Sequence, residues 1–194
     1  MDIQKRRLIG AKVLGGATLI LMLISQPHTN ILMDILGFIL IVASGVGRIW
    51  SLAYIAGLKS KRVISYGAYS ISRNPLYFFS FLGFIGAGLA FGSIIISTLL
   101  ILTFAITHIP IILYEERKLL SIFGDEFKEY MQRVPRFFPK ISLLDNPKDA
   151  EFHPKQFTKS AIEATYIILS YAVIKLIVWL HSIDILPNMV GLPF

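Results

Sequence analysis

The sequence predicts an all-α membrane protein with about five transmembrane helices and a cytoplasmic amphipathic helical segment between the fourth and fifth. Apolar runs of near-spanning length recur along the chain, at roughly 8–25, 31–57, 76–92, 93–114 and 161–181. Lys and Arg crowd some connections and avoid the alternate ones, the pattern that separates the two sides of a bilayer. The residues are 55% hydrophobic and 16% charged, with mean hydropathy +0.66, against about 45–50% apolar and about 25% charged in a soluble domain.

The first run follows Lys5, Arg6 and Arg7, a layout shared with signal peptides, but the "SQPHT" after Ile24 has no small-residue cleavage pattern. Residues 1–34 are therefore expected to be an anchor helix and an outer loop. In the second run Arg48 lies about nine residues from the end, deeper than a snorkelling side chain reaches, and is expected to face protein or a cavity. Lys12 and Lys175 are near enough to helix ends to snorkel. "GVG" at 45–47 suits close helix packing. The third run is short and rich in Gly and Phe, and it opens on Asn74 and Pro75, a preferred N-cap and a preferred first helical residue.

After the fourth run, Leu119, Leu120, Phe123, Phe127, Tyr130 and Met131 recur at helical spacing against charged neighbours. Gly124 followed by Asp125 predicts a helix stop and a new N-cap, hence two short helices along the membrane surface. Residues 141–160, including "DNPKDAEFHPKQFTK", read as a linker into a final helix and outer tail over 161–194. Basic residues before the first run, at Lys59, Lys61, Arg62 and Arg73, and from Arg117 through Lys159 contrast with loops 26–30 and 91–93 and the tail after Leu180, which have none. The N-terminus is thus expected in the cytoplasm and the C-terminus outside.

Composition also excludes. Without cysteine there is no disulfide, thiolate metal site or cysteine nucleophile. The histidines at 28, 108, 153 and 181 lack ligand spacing, so no metal is expected. The charge of +7 is scattered around apolar runs and makes no face for nucleic acid.

The unusual polar residues collect at one membrane face. Arg73, Asn74 and Tyr77 begin the third helix, Glu115 and Glu116 end the fourth, and Tyr130, Arg133 and Arg136 follow. A tight outer turn makes the third and fourth helices antiparallel neighbours, which brings Arg73 toward Glu115. The helix dipole disfavours anions at a C-terminus by roughly 0.3–1 kcal/mol, so a bland surface role explains the two glutamates poorly. His108 is seven residues before Glu115 on the same helical face; a lone intramembrane histidine commonly serves as an interhelix hydrogen bond.

"YGAYSISRNPLYF", "YEERKLL" and "FGDEFKEYMQRVPRFFP", in that order, resemble the integral-membrane methyltransferases related to isoprenylcysteine carboxyl methyltransferase and the phospholipid methyltransferases. The likeness covers about residues 35–140, the expected catalytic core. It implies S-adenosylmethionine as methyl donor, bound at the cytoplasmic helix ends under the segment after the Glu pair. On that basis Tyr66, Tyr69, Arg73, Asn74, Pro75, Tyr77, Glu115 and Glu116 are expected to bind the cofactor. Arg73, Glu116 and Arg136 are the expected catalytic residues, and Arg48, His108, Tyr130 and Arg136 are expected to meet the substrate. Both signs of charge suit this donor, which carries a carboxylate, an amine, a ribose diol and a sulfonium.

One departure stands out. The family motif has histidine where this chain has Asn74, which hydrogen-bonds but exchanges no proton near neutral pH. A carboxylate acceptor needs no base, so the expected substrate is a lipophilic isoprenoid or prenylcysteine carboxylate from the bilayer, paired by Arg136 or Arg48. A phospholipid amine is the alternative, with Glu116 or His108 as base. A non-catalytic membrane protein on the same scaffold, and a reductase using a nicotinamide nucleotide, are the other readings.

Overall fold

The computed structural model describes the backbone of residues 3–28 and 30–191, and the side chains of these except 3–8 and 11. The charges of Lys5, Arg6 and Arg7 lie outside the described residues. Seven helices carry that chain: α1 (Ile3–Ile24), α2 (Ile31–Ile55), the single turn α3 (Ala68–Ile71), α4 (Pro75–Phe91), α5 (Ile94–Phe123), α6 (Asp125–Arg133) and α7 (Pro154–Ser182). There is also a 3₁₀ turn at Ile141–Leu143 and, among the described residues, no strand beyond an isolated Ser25–Val190 pairing. Three helices, α2, α5 and α7, are long and apolar enough to cross a membrane, while α4 and the Lys12–Ile24 part of α1 are shorter apolar helices.

Local chemistry sets most helix ends. Asn30 caps α2, its Oδ1 accepting from the amides of Leu32 (2.9 Å) and Met33 (3.3 Å). Ser93 caps α5 by accepting from Ile96 N. Between α4 and α5, Gly92 adopts φ 82°, the left-handed geometry that glycine takes without strain.

Three boundaries differ from expectation. Residues 115–123 are not a separate surface helix but the last turns of a 30-residue α5, which runs on past Pro110 and meets no breaker between Glu115 and Gly124. Asp125 is not the cap of α6; Gly124 holds that position, and Asp125 and Glu126 lie in the first turn, where the helix dipole favours acids. α7 begins at Pro154, inside the expected linker, since proline at the first helical position pre-sets φ.

α2 and α4 share the most extensive interface, α4 also packs on α5 and α7, and α1 lies against α5. Small residues bring these backbones together. A methyl group at Gly37 would fall 2.5 Å from the Ala90 amide nitrogen and 2.8 Å from the Gly86 carbonyl. The "GVG" stretch serves two neighbours, Gly45 meeting Ile168 of α7 and Gly47 meeting Phe79 of α4. A core of Met22, Ile41, Phe91, Ile96 and Ile177 joins α1, α2, α4, α5 and α7. Beside it, buried His181 holds Met22 O at 2.9 Å and Asn188 Oδ1 at 3.0 Å. Lys175 does not rely on reaching the helix end: it pairs with Asp34 of α2 at 3.0 Å, and Tyr171 donates to the same carboxylate at 2.9 Å.

At the other end of the bundle, residues 134–146 run back as a strap across 66–74. Arg73 N donates to Pro135 O (2.9 Å), Lys140 N to Ile71 O (2.9 Å) and Gly67 N to Asp145 O (2.6 Å). Ser72 Oγ donates to Phe137 O at 3.0 Å, and Ser70 Oγ accepts from Asp145 N at 3.0 Å. The chain thereby closes on itself over the ends of α2, α4 and α5.

Candidate functional site

Between α2, α3, α4, α5 and α6 is a cavity of about 620 Å³, within the range of small-molecule sites. Arg48 of α2, Tyr69 of α3, Arg73, Asn74, Pro75 and Tyr77 at the start of α4, His108, Glu115 and Glu116 of α5, and Tyr130 of α6 all line it. Tyr66 and Arg136 do not. Tyr66 packs edge-on against Tyr54 at 5.8 Å and accepts from Arg62, which does line the cavity. Arg136 lies on the strap, half exposed, and pairs with Glu116.

Adjacent carboxylates on a helix point about 100° apart, so the Glu pair serves two sets of partners. Glu116 is buried: Oε1 accepts from Asn74 Nδ2 (2.9 Å), and Oε2 accepts from Arg136 Nε (2.9 Å). Arg73 pairs with Glu116, its Nε at 3.6 Å from Oε1, and not with Glu115 as antiparallel packing alone suggested. Glu115 is more open, taking Lys59 Nζ at 2.8 Å and Tyr77 OH at 3.1 Å. Lys59 is a site residue that the sequence marked only as a positive-side charge.

Asn74 begins α4, as expected, but its side chain makes no cap bond. Both amide hydrogens go elsewhere, to Glu116 and to the Arg136 carbonyl at 3.0 Å. Asn74 therefore fastens the loop, the end of α5 and the strap together.

The Arg73 side chain is largely buried, and its Nε and Nη1 have no hydrogen-bond partner among the described residues. Burial lowers its pKa below the usual arginine value, opposed by Glu116. Deeper in, Arg48 donates from Nη1 to Leu76 O (3.3 Å) and to Ser80 Oγ, while Nε is buried without a partner. No carboxylate lies within ion-pair distance of Arg48 among the described residues. Tyr130 OH donates to Tyr69 O at 2.8 Å. Burial raises both phenols, with Tyr130 and Glu115 adding to the rise at Tyr69, while Arg73 moderates that at Tyr130. Among the described residues no group of three or more His, Cys, Asp or Glu stands close enough to hold a metal ion.

The family model described as phospholipid methyltransferase matches residues 32–126, from the start of α2 to the start of α6. The nickel-cobalt-cadmium resistance protein NccN of Alcaligenes xylosoxydans xylosoxydans is 32% identical over 157 residues, covering 81% of this chain and 73% of that protein. The cobalt-zinc-cadmium resistance protein CzcN of Cupriavidus metallidurans is 32% identical over the same length, covering 81% and 72%. The match runs through every helix that walls the cavity except α6, and the relatives extend it over most of the chain: the protein belongs to the phospholipid methyltransferase family of membrane methyltransferases.

Proposed function

We propose that this protein is an integral-membrane methyltransferase that uses S-adenosylmethionine to methylate a lipophilic acceptor. The observation that carries the reading is the buried Arg73 guanidinium with two nitrogens lacking hydrogen-bond partners, sharing one cavity with Glu115. A buried donor without a partner is expensive, and an incoming carboxylate relieves it. That chemistry fits the donor's two ends. Arg73 would take its carboxylate, Glu115 its amine or ribose diol, and the Tyr69 ring its adenine or cationic centre. When bound, the donor supplies an electrophilic methyl group on a sulfonium.

Glu116, Asn74 and Arg136 hold this arrangement in register. With both carboxylate oxygens engaged, Glu116 orients Arg73 and anchors the strap. Five crossings, a cytoplasmic N-terminus and a cavity opening to the cytoplasm complete the proposal, supported by the positive-side pattern of the loops. A water-soluble donor and a membrane-dissolved acceptor would then meet at one interface.

Arg48 bears on the acceptor. A cavity-facing guanidinium without a carboxylate partner calls for an anionic group on the substrate. An isoprenoid or prenylcysteine carboxylate meets that need directly, and Arg48, in the cavity wall, suits it better than Arg136. A phospholipid amine meets it through its phosphate, a second reading that the family match favours. The resistance names of the two relatives suggest work on metals, but the described residues offer no ligand set for direct binding.

The test is methyl transfer from labelled donor to total membrane lipid extract by the purified protein. A labelled lipid product absent with Glu115→Gln is expected. A folded protein that labels nothing would leave the non-catalytic reading standing.

A further inference from the structure

We infer that the strap is a re-entrant wedge: its Phe137–Phe138 pair enters the acyl region of the bilayer beside α4 and α5, and phospholipid chains cover the open side of Phe138. The inference rests on the membrane-spanning part of the proposal above and not on methyl transfer.

Aromatic contacts set the depth. Phe137 packs against Phe78 and Phe81 of α4 at 5.8 and 5.7 Å and against Phe104 of α5 at 5.9 Å. Phe104 precedes Glu115 by 11 residues, about 16 Å along the helix axis, and stands within the apolar stretch of α5. The Phe137 ring therefore reaches well past the charged end of the bundle. Phe138 lies 5.4 Å from Phe137 and 6.4 Å from Phe78, yet is 71% exposed. A phenylalanine held open beside the apolar part of two helices has lipid to face.

The backbone of the strap is prepared for the same place. Hydrocarbon offers no water to peptide groups, so a non-helical segment at membrane depth needs protein partners. Pro135 and Pro139 flank the wedge and carry no N–H. Between them, three consecutive carbonyls are each satisfied from residues 72–74. Pro135 O accepts from Arg73 N (2.9 Å), Arg136 O from Asn74 Nδ2 (3.0 Å) and Phe137 O from Ser72 Oγ (3.0 Å).

The residues that follow suit the headgroup level. Lys140 is exposed, and a lysine stem can lie along acyl chains while its ammonium meets phosphate. Its amide is fixed to Ile71 O, which holds this point at the start of the bundle. Ile141 and Leu144, 68% and 46% exposed, are three residues apart at the 3₁₀ turn and so share one face. Apolar groups below one lysine are the pattern of an interfacial segment. The strap that fastens Asn74 and Glu116 thus leans on lipid.

The chain contains no cysteine, so single-cysteine variants each take one nitroxide label. In phosphatidylcholine nanodiscs, collision of the label with oxygen and with a water-soluble nickel chelate reads its depth. Phe138→Cys is expected about 5–10 Å below the phosphates, with Ile141→Cys shallower and Asp149→Cys in water. Ile106→Cys, at an exposed position on α5, is the bilayer reference. Phe138→Trp keeps an aromatic ring, and its added fluorescence over wild type should be quenched by lipids brominated along the chain and not by aqueous iodide. A label at 138 as open to nickel as that at 149, or tryptophan quenched by iodide alone, overturns the wedge and leaves the methyltransferase reading intact. A label at 138 closed to both reagents reports protein packed over it and overturns lipid as the partner. Ile106→Cys in water overturns the wedge together with the spanning helices, whereas failure to bind donor strikes the methyltransferase reading alone.

Discussion

Asn74 and Glu116 share a hydrogen bond of 2.9 Å from the amide nitrogen to Oε1, and the same amide reaches the Arg136 carbonyl at 3.0 Å. One side chain thereby fastens the loop before α4, the end of α5 and the strap. Because Asn74 is buried, removing its amide leaves two acceptors short of a partner. Asn74→Ala is expected to destabilise the protein by about 1–3 kcal/mol, read as a lowered thermal midpoint in detergent. An unchanged midpoint would mean that the strap is held without it.

Glu116 and Glu115 should respond differently to substitution. Glu116→Ala leaves Arg73 buried without its counter-charge and is expected to cost about 3–5 kcal/mol in denaturant unfolding. Glu115 pairs with an exposed Lys59, so Glu115→Gln should change stability by less than about 1 kcal/mol while weakening donor binding. Equal stability losses in the two variants would contradict the division of labour.

Which carboxylate faces Arg73 was not legible in the sequence. Consecutive helical residues differ by about 100°, and the rotation of α5 is fixed by its packing on α4, a non-local matter. The pairing of Lys175 with Asp34 and the departure of Tyr66 from the cavity were hidden for the same reason. What depends on local pattern came through: the apolar runs, the start of α4 at Pro75, the close packing at Gly45 and Gly47, and the inward-facing Arg48. Asn74 shows the limit most clearly. Its place in the chain announced a helix cap, and only the strap's return path revealed where its amide goes.

Alkaline pH should loosen the site. The phenols of Tyr69 and Tyr130 are raised above their ordinary value of about 10, so the folded protein keeps protons that the unfolded chain releases. Their stabilising contribution is complete below about pH 10 and declines as pH climbs toward the folded-state values. Unfolding midpoints should therefore fall as the pH rises above about 10, and Tyr130→Phe should flatten that fall. A variant with the wild-type slope would show that Tyr130 does not carry it.

The approach of α2 to α4 predicts a steric effect far from the cavity. Gly37→Ala puts a methyl group against the Ala90 backbone and is expected to cost about 1–3 kcal/mol. Thermal unfolding of the variant checks this. No loss would mean that the two helices are further apart than 2.5 Å from Cβ to backbone nitrogen implies.

Equilibrium binding of labelled S-adenosylmethionine to the purified protein tests the central claim most directly. Saturable binding is expected, undisturbed by a nicotinamide nucleotide and weakened at least about tenfold in Arg73→Met, equivalent to about 1.4 kcal/mol. Folded wild-type protein without saturable binding, or an Arg73→Met variant of unchanged affinity, would contradict it.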